Sequence, residues 1–245
     1  MLGVIMKTLT KIFSISILKL TFVSIIYSVA ASSAFAACKN NVVLVHGNTT
    51  SPSSWDNTVS ELKRNGWNDS QIYKPNWGSK SCAACNDHNG SEETPVRNSI
   101  QSAINNSCTG KIDVIGHSMG VTLSAQQIRK LGVQSKVDTF VGVAGAWRGL
   151  LSCGVYPYNV TTSTCGRYGL SVSSPLLDSL ENKTIANKVY SIKSWADQVV
   201  CGTGVCLVYG KHSSHISGEN RSYTYNYGHF GLQKYTSSKQ VQLIK

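Results

Sequence analysis

The strongest constraint on the chain is one pentapeptide, Gly116-His117-Ser118-Met119-Gly120. Ahead of it runs Lys111-Ile-Asp-Val-Ile115, an apolar β-branched segment with the character of a buried strand. Behind it, from Met119 to about Leu131, the pattern is that of a helix. A strand must therefore become a helix across a very short turn. A side chain at Gly116 or Gly120 would collide with backbone there, and Ser118 would be held on a strained bend with its hydroxyl above the sheet. Two glycines and a serine at this spacing arise by chance in roughly one chain in ten of this length, at ~7% per residue. The strand before the motif and the helix after it are what give it weight. The plainer alternative is an N-capping serine at an ordinary turn.

The same alternation recurs along the chain. Asn41-Val-Val-Leu-Val45 reads as a strand buried on both faces. A helix follows from about Ser53 to Asn65, with Trp55, Val59 and Leu62 on one face and Gly66 as its stop. Gln71 to Lys74 is a weak strand, and residues 75–93 are a polar loop. Thr94-Pro95 opens a helix to about Asn106 with a Val96, Ile100, Ile104 stripe. Val137–Val143 is a strand, and residues 145–173 have no clear period and read as an inserted loop. A short helix over Pro175–Asn182, a strand over Lys188–Lys193 and a helix from about Ser237 complete the order. Strands alternating with helices predict an α/β fold, with a mainly parallel sheet covered on both faces in a single domain.

The first residues read as a leader. Lys7 and Lys11 precede an apolar stretch from Ile12 to Ala31, and Ala34-Phe35-Ala36 has the small-x-small form that signal peptidase cleaves. Residues 1–36 are thus expected to be a signal peptide and 37–245 the folded domain, with Met6 as an alternative start. All eight cysteines follow the cleavage point, an even count that suits disulfides in a secreted protein, extracellular or periplasmic. Cys153–Cys165 and Cys201–Cys206 are the cheapest closures; Cys38, Cys82, Cys85 and Cys108 then have three pairings open. Cys82-Ala-Ala-Cys85 also has the form of a redox or zinc half-site, but no second such pair accompanies it. No later run of about 18 apolar residues exists, so no stable membrane insertion is expected after cleavage.

The net charge is +11, from 23 Lys+Arg against 12 Asp+Glu. No basic run exceeds Lys63-Arg64 or Arg129-Lys130, and no nucleic-acid motif is visible, so no nucleic-acid partner is expected. The expected state is a basic, secreted monomer.

A serine hydroxyl becomes a nucleophile at neutral pH only beside a base that is itself oriented by an acid. On a strand–serine–helix turn of this kind the acid and then the histidine follow the serine in the chain. His46 and His117 come too early, His88 lies in the polar loop, and His212 and His215 form an HxxH in a loop. His229, in Tyr227-Gly-His-Phe-Gly231, lies just before the last helix and is the expected base. Asp197 follows strand Lys188–Lys193 and is the expected acid, with Glu219 in reserve; Asp138 and Asp178 are less well placed. An oxyanion hole needs two backbone N–H groups. Met119, directly after Ser118, and Asn48, after His46-Gly47, are positioned to supply them.

Val42-Val-Leu-Val-His-Gly47, Gly116-His-Ser-Met-Gly120, Ser194-Trp-Ala-Asp197 and Gly228-His-Phe-Gly231 together resemble the class 2 family of secreted bacterial lipases, which are α/β-hydrolases. The likeness covers most of residues 40–245. It implies Ser118 as nucleophile, Asp197 and His229 as its partners, and Asn48 and Met119 as oxyanion donors. It implies no cofactor and no metal, and an ester substrate cleaved through an acyl-enzyme by a lipase or carboxylesterase. No amphipathic lid segment is visible, and Val121 stands where the family often has a further glycine. Trp147-Arg-Gly-Leu-Leu-Ser-Cys153, Thr164-Cys-Gly166 and Asp197-Gln-Val-Val-Cys201 also resemble an extracellular polyhydroxyalkanoate depolymerase of this fold, which makes a polyester the alternative substrate. A binding protein on a decayed hydrolase scaffold is the non-enzymatic alternative. The insert, with Trp147, Tyr156 and Tyr158, is the expected substrate-binding surface; cover for a satellite core is the other reading of its aromatics.

Overall fold

The computed structural model describes residues 38–158 and 160–245, so the leader read over residues 1–36 lies outside the described residues. The strands are β1 Asn41–Val45, β2 Ile72–Tyr73, β3 Ile112–His117, β4 Val137–Val143, β5 Leu150–Val155, β6 Ser171–Val172, β7 Lys188–Lys193, β8 Leu207–Val208, β9 Lys211–His212 and β10 Arg221–Thr224. The helices are α1 Asp56–Arg64, α2 Glu93–Asn105, α3 Met119–Leu131, α4 Pro175–Leu180, α5 His229–Tyr235 and α6 Ser237–Leu243.

Six strands form one sheet in the order β10-β7-β4-β3-β1-β2, and every pairing in it is parallel. The sequence of β1 explains its place inside the sheet, between β3 and β2: all its residues are buried, so both faces must be covered. Strand alternation sorts these residues into two layers. Val43, Val45, Val114 and Phe140 pack with Val96 and Ile100 of α2 and Leu123 and Ile128 of α3. Val42, Leu44, Ile115 and Val141 face the other way, onto Trp55, Leu62 of α1, Leu232 of α5 and Val241 of α6. Each such aliphatic side chain contributes about 1.5–3 kcal/mol by leaving water.

Four disulfides are formed: Cys38–Cys108, Cys82–Cys85, Cys153–Cys165 and Cys201–Cys206. The two short closures expected from spacing are present, and Cys82 pairs with Cys85 rather than serving as a zinc half-site.

The segment 145–173 is not a structureless loop. It carries β5 and β6, a parallel pair whose register breaks between Leu150 and Val155, and it is stapled by Cys153–Cys165. Leu150, Leu170 and Val172 are buried, as are Leu176, Leu177 and Leu180 of α4. Short, register-broken strands leave no period in the sequence. Gly149, at φ +92°, is required there, because a Cβ would lie 2.7 Å from Val172 Cα.

Candidate active site

The residues singled out by sequence lie at the C-terminal ends of parallel strands, where ligand sites form in open α/β sheets. Ser118 follows β3, Asn48 follows β1 by three residues, Asp197 follows β7 and His229 opens α5 beyond β10.

Ser118 has φ 54° and ψ −130°, a strained conformation for a residue with a side chain. Its amide donates to Val143 O at 2.9 Å, tying the bend to the end of β4. The flanking glycines are demanded by backbone contacts. A Cβ at Gly116 would lie 2.7 Å from Val121 Cα, and one at Gly120 would lie 2.4 Å from both Val45 O and His46 O. A Cβ at Gly47 would lie 2.9 Å from Ser118 Cβ, so the loop after β1 is in contact with the serine. Val121, where the family often has glycine, fits because Gly145 faces it: a Cβ there would come within 2.9 Å of the valine.

Asp197 and His229 are brought together. His229 Nδ1 lies 2.9 Å from each oxygen of the Asp197 carboxylate, and both residues are almost fully buried. The carboxylate also accepts the amides of Val199 and Val200 at 2.9 Å each. Burial pushes its pKa up, but the bonds from His229 and these amides outweigh it, and the group is held below its usual range. Glu219, the reserve acid, is elsewhere engaged: it accepts from His215 Nδ1 at 2.6 Å and from the Ile216 amide at 3.0 Å.

The other histidines have structural partners. His46 stacks on Trp77, accepts the Trp77 amide at Nε2 and donates from Nδ1 to Gly47 O. His88 spans the insert and α3: Nδ1 donates to Tyr168 O at 2.8 Å, and Nε2 accepts from Thr122 Oγ1 at 2.7 Å. Burial lowers both to about 4. His212 donates from Nε2 to Ser194 O at 3.0 Å. Among the described residues a metal-like grouping exists at Cys201, Cys206 and His212, but both sulfurs are consumed in a disulfide.

Asn48 is anchored by its side chain. Its Nδ2 donates to Ala83 O at 2.8 Å, and its Oδ1 accepts from Asn86 Nδ2 at 2.6 Å. Asn86 is buried and also ties to Ser79 through both the amide and the carbonyl of that residue. Thr164 Oγ1 of the insert lies within hydrogen-bond distance of both Ala83 O and Asn86 O, to one of which it donates. The segment from Ser79 to His88 is therefore a strap joining the loop after β1 to the insert and α3, closed on itself by Cys82–Cys85. In the sequence the segment reads as a polar loop with Cys82 and Cys85 as its one marked feature; the Asn and His beside them, Asn86 and His88, are the further signal of a tied strap.

Met119 is the first residue of α3 and is buried. The insert aromatics divide. Trp147 is buried, 1% exposed, with its Nε1 donating to Ser217 Oγ at 3.3 Å, which favours the satellite-core reading of this aromatic. Tyr156 is half-buried and Tyr158 is 73% exposed.

The mature form of a Bacillus licheniformis lipase is 14% identical, covering 84% of this chain and 91% of its own, with a TM-score of 0.58. One of two metagenome-derived lipolytic enzymes, LipS and LipT, is 16% identical over 84% of this chain and 94% of its own, at TM-score 0.59. A hyperthermophilic esterase from the archaeon Pyrobaculum calidifontis is 18% identical over 83% and 75%, at TM-score 0.54. At such identities the likeness establishes the fold. No curated protein matches the sequence. The family model described as Lipase (class 2) matches residues 39–242, nearly the whole described chain. The chain belongs to the class 2 lipase family.

Proposed function

We propose that this chain is a secreted carboxylic ester hydrolase that works through an acyl-enzyme on Ser118. The observation that carries the reading is the buried His229–Asp197 pair, at 2.9 Å to both carboxylate oxygens. The strained Ser118 at a strand–helix turn supports it, since the ring of its neighbour His117 packs 4.8 Å from that of His229. Asp197, held ionised, keeps the proton on Nδ1 of His229 and leaves Nε2 free to accept one. In this mechanism His229 takes the Ser118 proton as Oγ attacks the ester carbonyl. The Met119 and Asn48 amides receive the resulting oxyanion. His229 then returns the proton to the departing alcohol, and water repeats the cycle to release the acid.

Secretion is supported by the four disulfides, which persist in oxidising compartments, and by the leader pattern over residues 1–36. No helix among the described residues is long and apolar enough to cross a membrane. A lipid ester is the proposed substrate. Polyester is kept as a second reading because large aromatics are exposed at 73% in Tyr158, 74% in Tyr209, 57% in Trp195 and 55% in Phe230. Turnover of p-nitrophenyl esters of increasing acyl length, run beside triglyceride emulsion and polyester film, tests the activity and separates the two substrates. Absence of hydrolysis on all three would refute the proposal.

A further inference from the structure

His229 is held by more than its carboxylate. Its backbone amide donates to Gln198 Oε1 at 2.9 Å. Its backbone carbonyl accepts from His117 Nε2 at 3.2 Å. The two side chains come from the immediate neighbours of Asp197 and Ser118. The approach of Gln198 depends on Gly228: a Cβ there would lie 2.8 Å from Gln198 Oε1. The approach of His117 depends on Gly47, where a Cβ would lie 2.9 Å from Nδ1. The His117 ring also packs against that of His229, at 4.8 Å between centroids, and is backed edge-on by Trp55.

We propose that His117 and Gln198 are positioning residues, a two-sided clamp on the peptide groups of His229 that holds its imidazole between Asp197 and Ser118. The inference rests on the triad reading and adds to it two residues outside the triad. Asp197 fixes the tautomer and the ring plane, but a single hinge at Nδ1 leaves the backbone of His229 free to shift. Fixing both peptide groups removes that freedom. An error of ~1 Å in the place of a reacting group costs as much as ~10²-fold in rate. His117 suits the role because it stays neutral: burial lowers its pKa to about 3, so one ring nitrogen carries the only proton and the His229 carbonyl claims it. No partner for Nδ1 exists among the described residues, consistent with a single-donor ring. Gln198 lies on the surface, so its removal opens no core.

The test is a kinetic cycle on the full chain, with p-nitrophenyl butyrate as probe and the melting temperature of each variant measured. Gln198→Ala is expected to lower kcat by ~10–100-fold with KM nearly unchanged, because the substrate pocket is untouched. Gln198→Glu retains an accepting oxygen and is expected to recover most of that loss. His117→Gln retains a donor at the Nε2 position and is expected to exceed His117→Leu in kcat. In a His229→Ala background, Gln198→Ala is expected to have no further effect, since there is no imidazole left to place. Wild-type kcat in Gln198→Ala, or an equal fractional loss in both backgrounds, would overturn the clamp while leaving the triad intact. Wild-type activity in His229→Ala would overturn the triad and the clamp with it. If His117→Leu does not fold, the Gln198 arm decides alone.

Discussion

His229 Nδ1 sits 2.9 Å from both carboxylate oxygens of Asp197, and neither residue is exposed by more than 2%. In a site this dry the acid cannot be replaced by solvent. Asp197→Asn is expected to lower kcat by ~10⁴-fold, because the amide lets the ring take the tautomer that cannot accept from serine. KM for a short ester should change little. Activity near wild type would move the acid assignment elsewhere; Glu219, bound to His215, is not free to take it.

The strap that holds Asn48 gives a second expectation. Asn86→Ala removes the bond to Asn48 Oδ1 and both ties to Ser79. Losing an oxyanion donor outright costs ~10²–10³-fold in kcat. Loosening one should cost less, about tenfold, and should act on kcat more than on KM. The paired change Cys82→Ser with Cys85→Ser should act in the same direction. Unchanged kcat in both variants would mean the strap serves stability alone.

The insert aromatics separate by burial. Trp147→Ala is expected to destabilise by about 3–5 kcal/mol. Tyr158→Ala, at a largely exposed position, should leave the melting temperature unchanged. If the exposed aromatics serve a polymer or emulsion, Tyr158→Ala should slow those substrates and spare a two-carbon ester. Equal losses on every substrate would remove it from the binding surface.

The pH dependence of stability follows from buried groups. His46 and His88 are lowered from 6.5 to about 4, and His117 from 6.5 to about 3, all by burial. Below about pH 6.5 the unfolded chain therefore takes up protons that the folded chain refuses, and stability falls as pH drops toward about 4. Asp113 acts oppositely: burial raises its carboxyl from 3.8 to about 7, so its contribution is lost as pH rises through that range. Three histidines outweigh one carboxyl, and the melting temperature should fall on acidification from about pH 7 to about pH 4.5. Calorimetry across this range checks the sign; a rise would contradict it. Asp113→Asn should be more stable than wild type near pH 8, with the difference shrinking near pH 4.

Much of the fold was legible because its strands are apolar throughout. Asn41–Val45 and Val137–Val143 have the composition of strands covered on both faces, and Gly116 to Gly120 fixes the turn between β3 and α3. β10 escaped notice because Arg221-Ser-Tyr-Thr224 is polar and lies at the sheet edge, with only β7 beside it. The sequence pattern puts His229 in a loop before the last helix, whereas it begins a helix of its own, α5, separated from α6 by Thr236. Nothing local to His229 announces that start; its amide is satisfied by Gln198, thirty-one positions away. Trp147 could not be separated from its exposed neighbours by composition. It is buried in a core that draws on residues from Val43 to Ile216, and its Nε1 donates to Ser217, seventy residues on; long-range packing of this kind leaves no mark in local sequence.

The central claim is that Ser118 is the nucleophile, and reaction with a fluorophosphonate tests it most directly. Intact-mass and peptide analysis of the treated protein should find one adduct, on Ser118. Ser118→Ala should take no label, keep the wild-type melting temperature and lose ~10⁴–10⁶-fold in kcat. Label on another residue, or about a tenth of wild-type activity surviving in Ser118→Ala, would contradict the account.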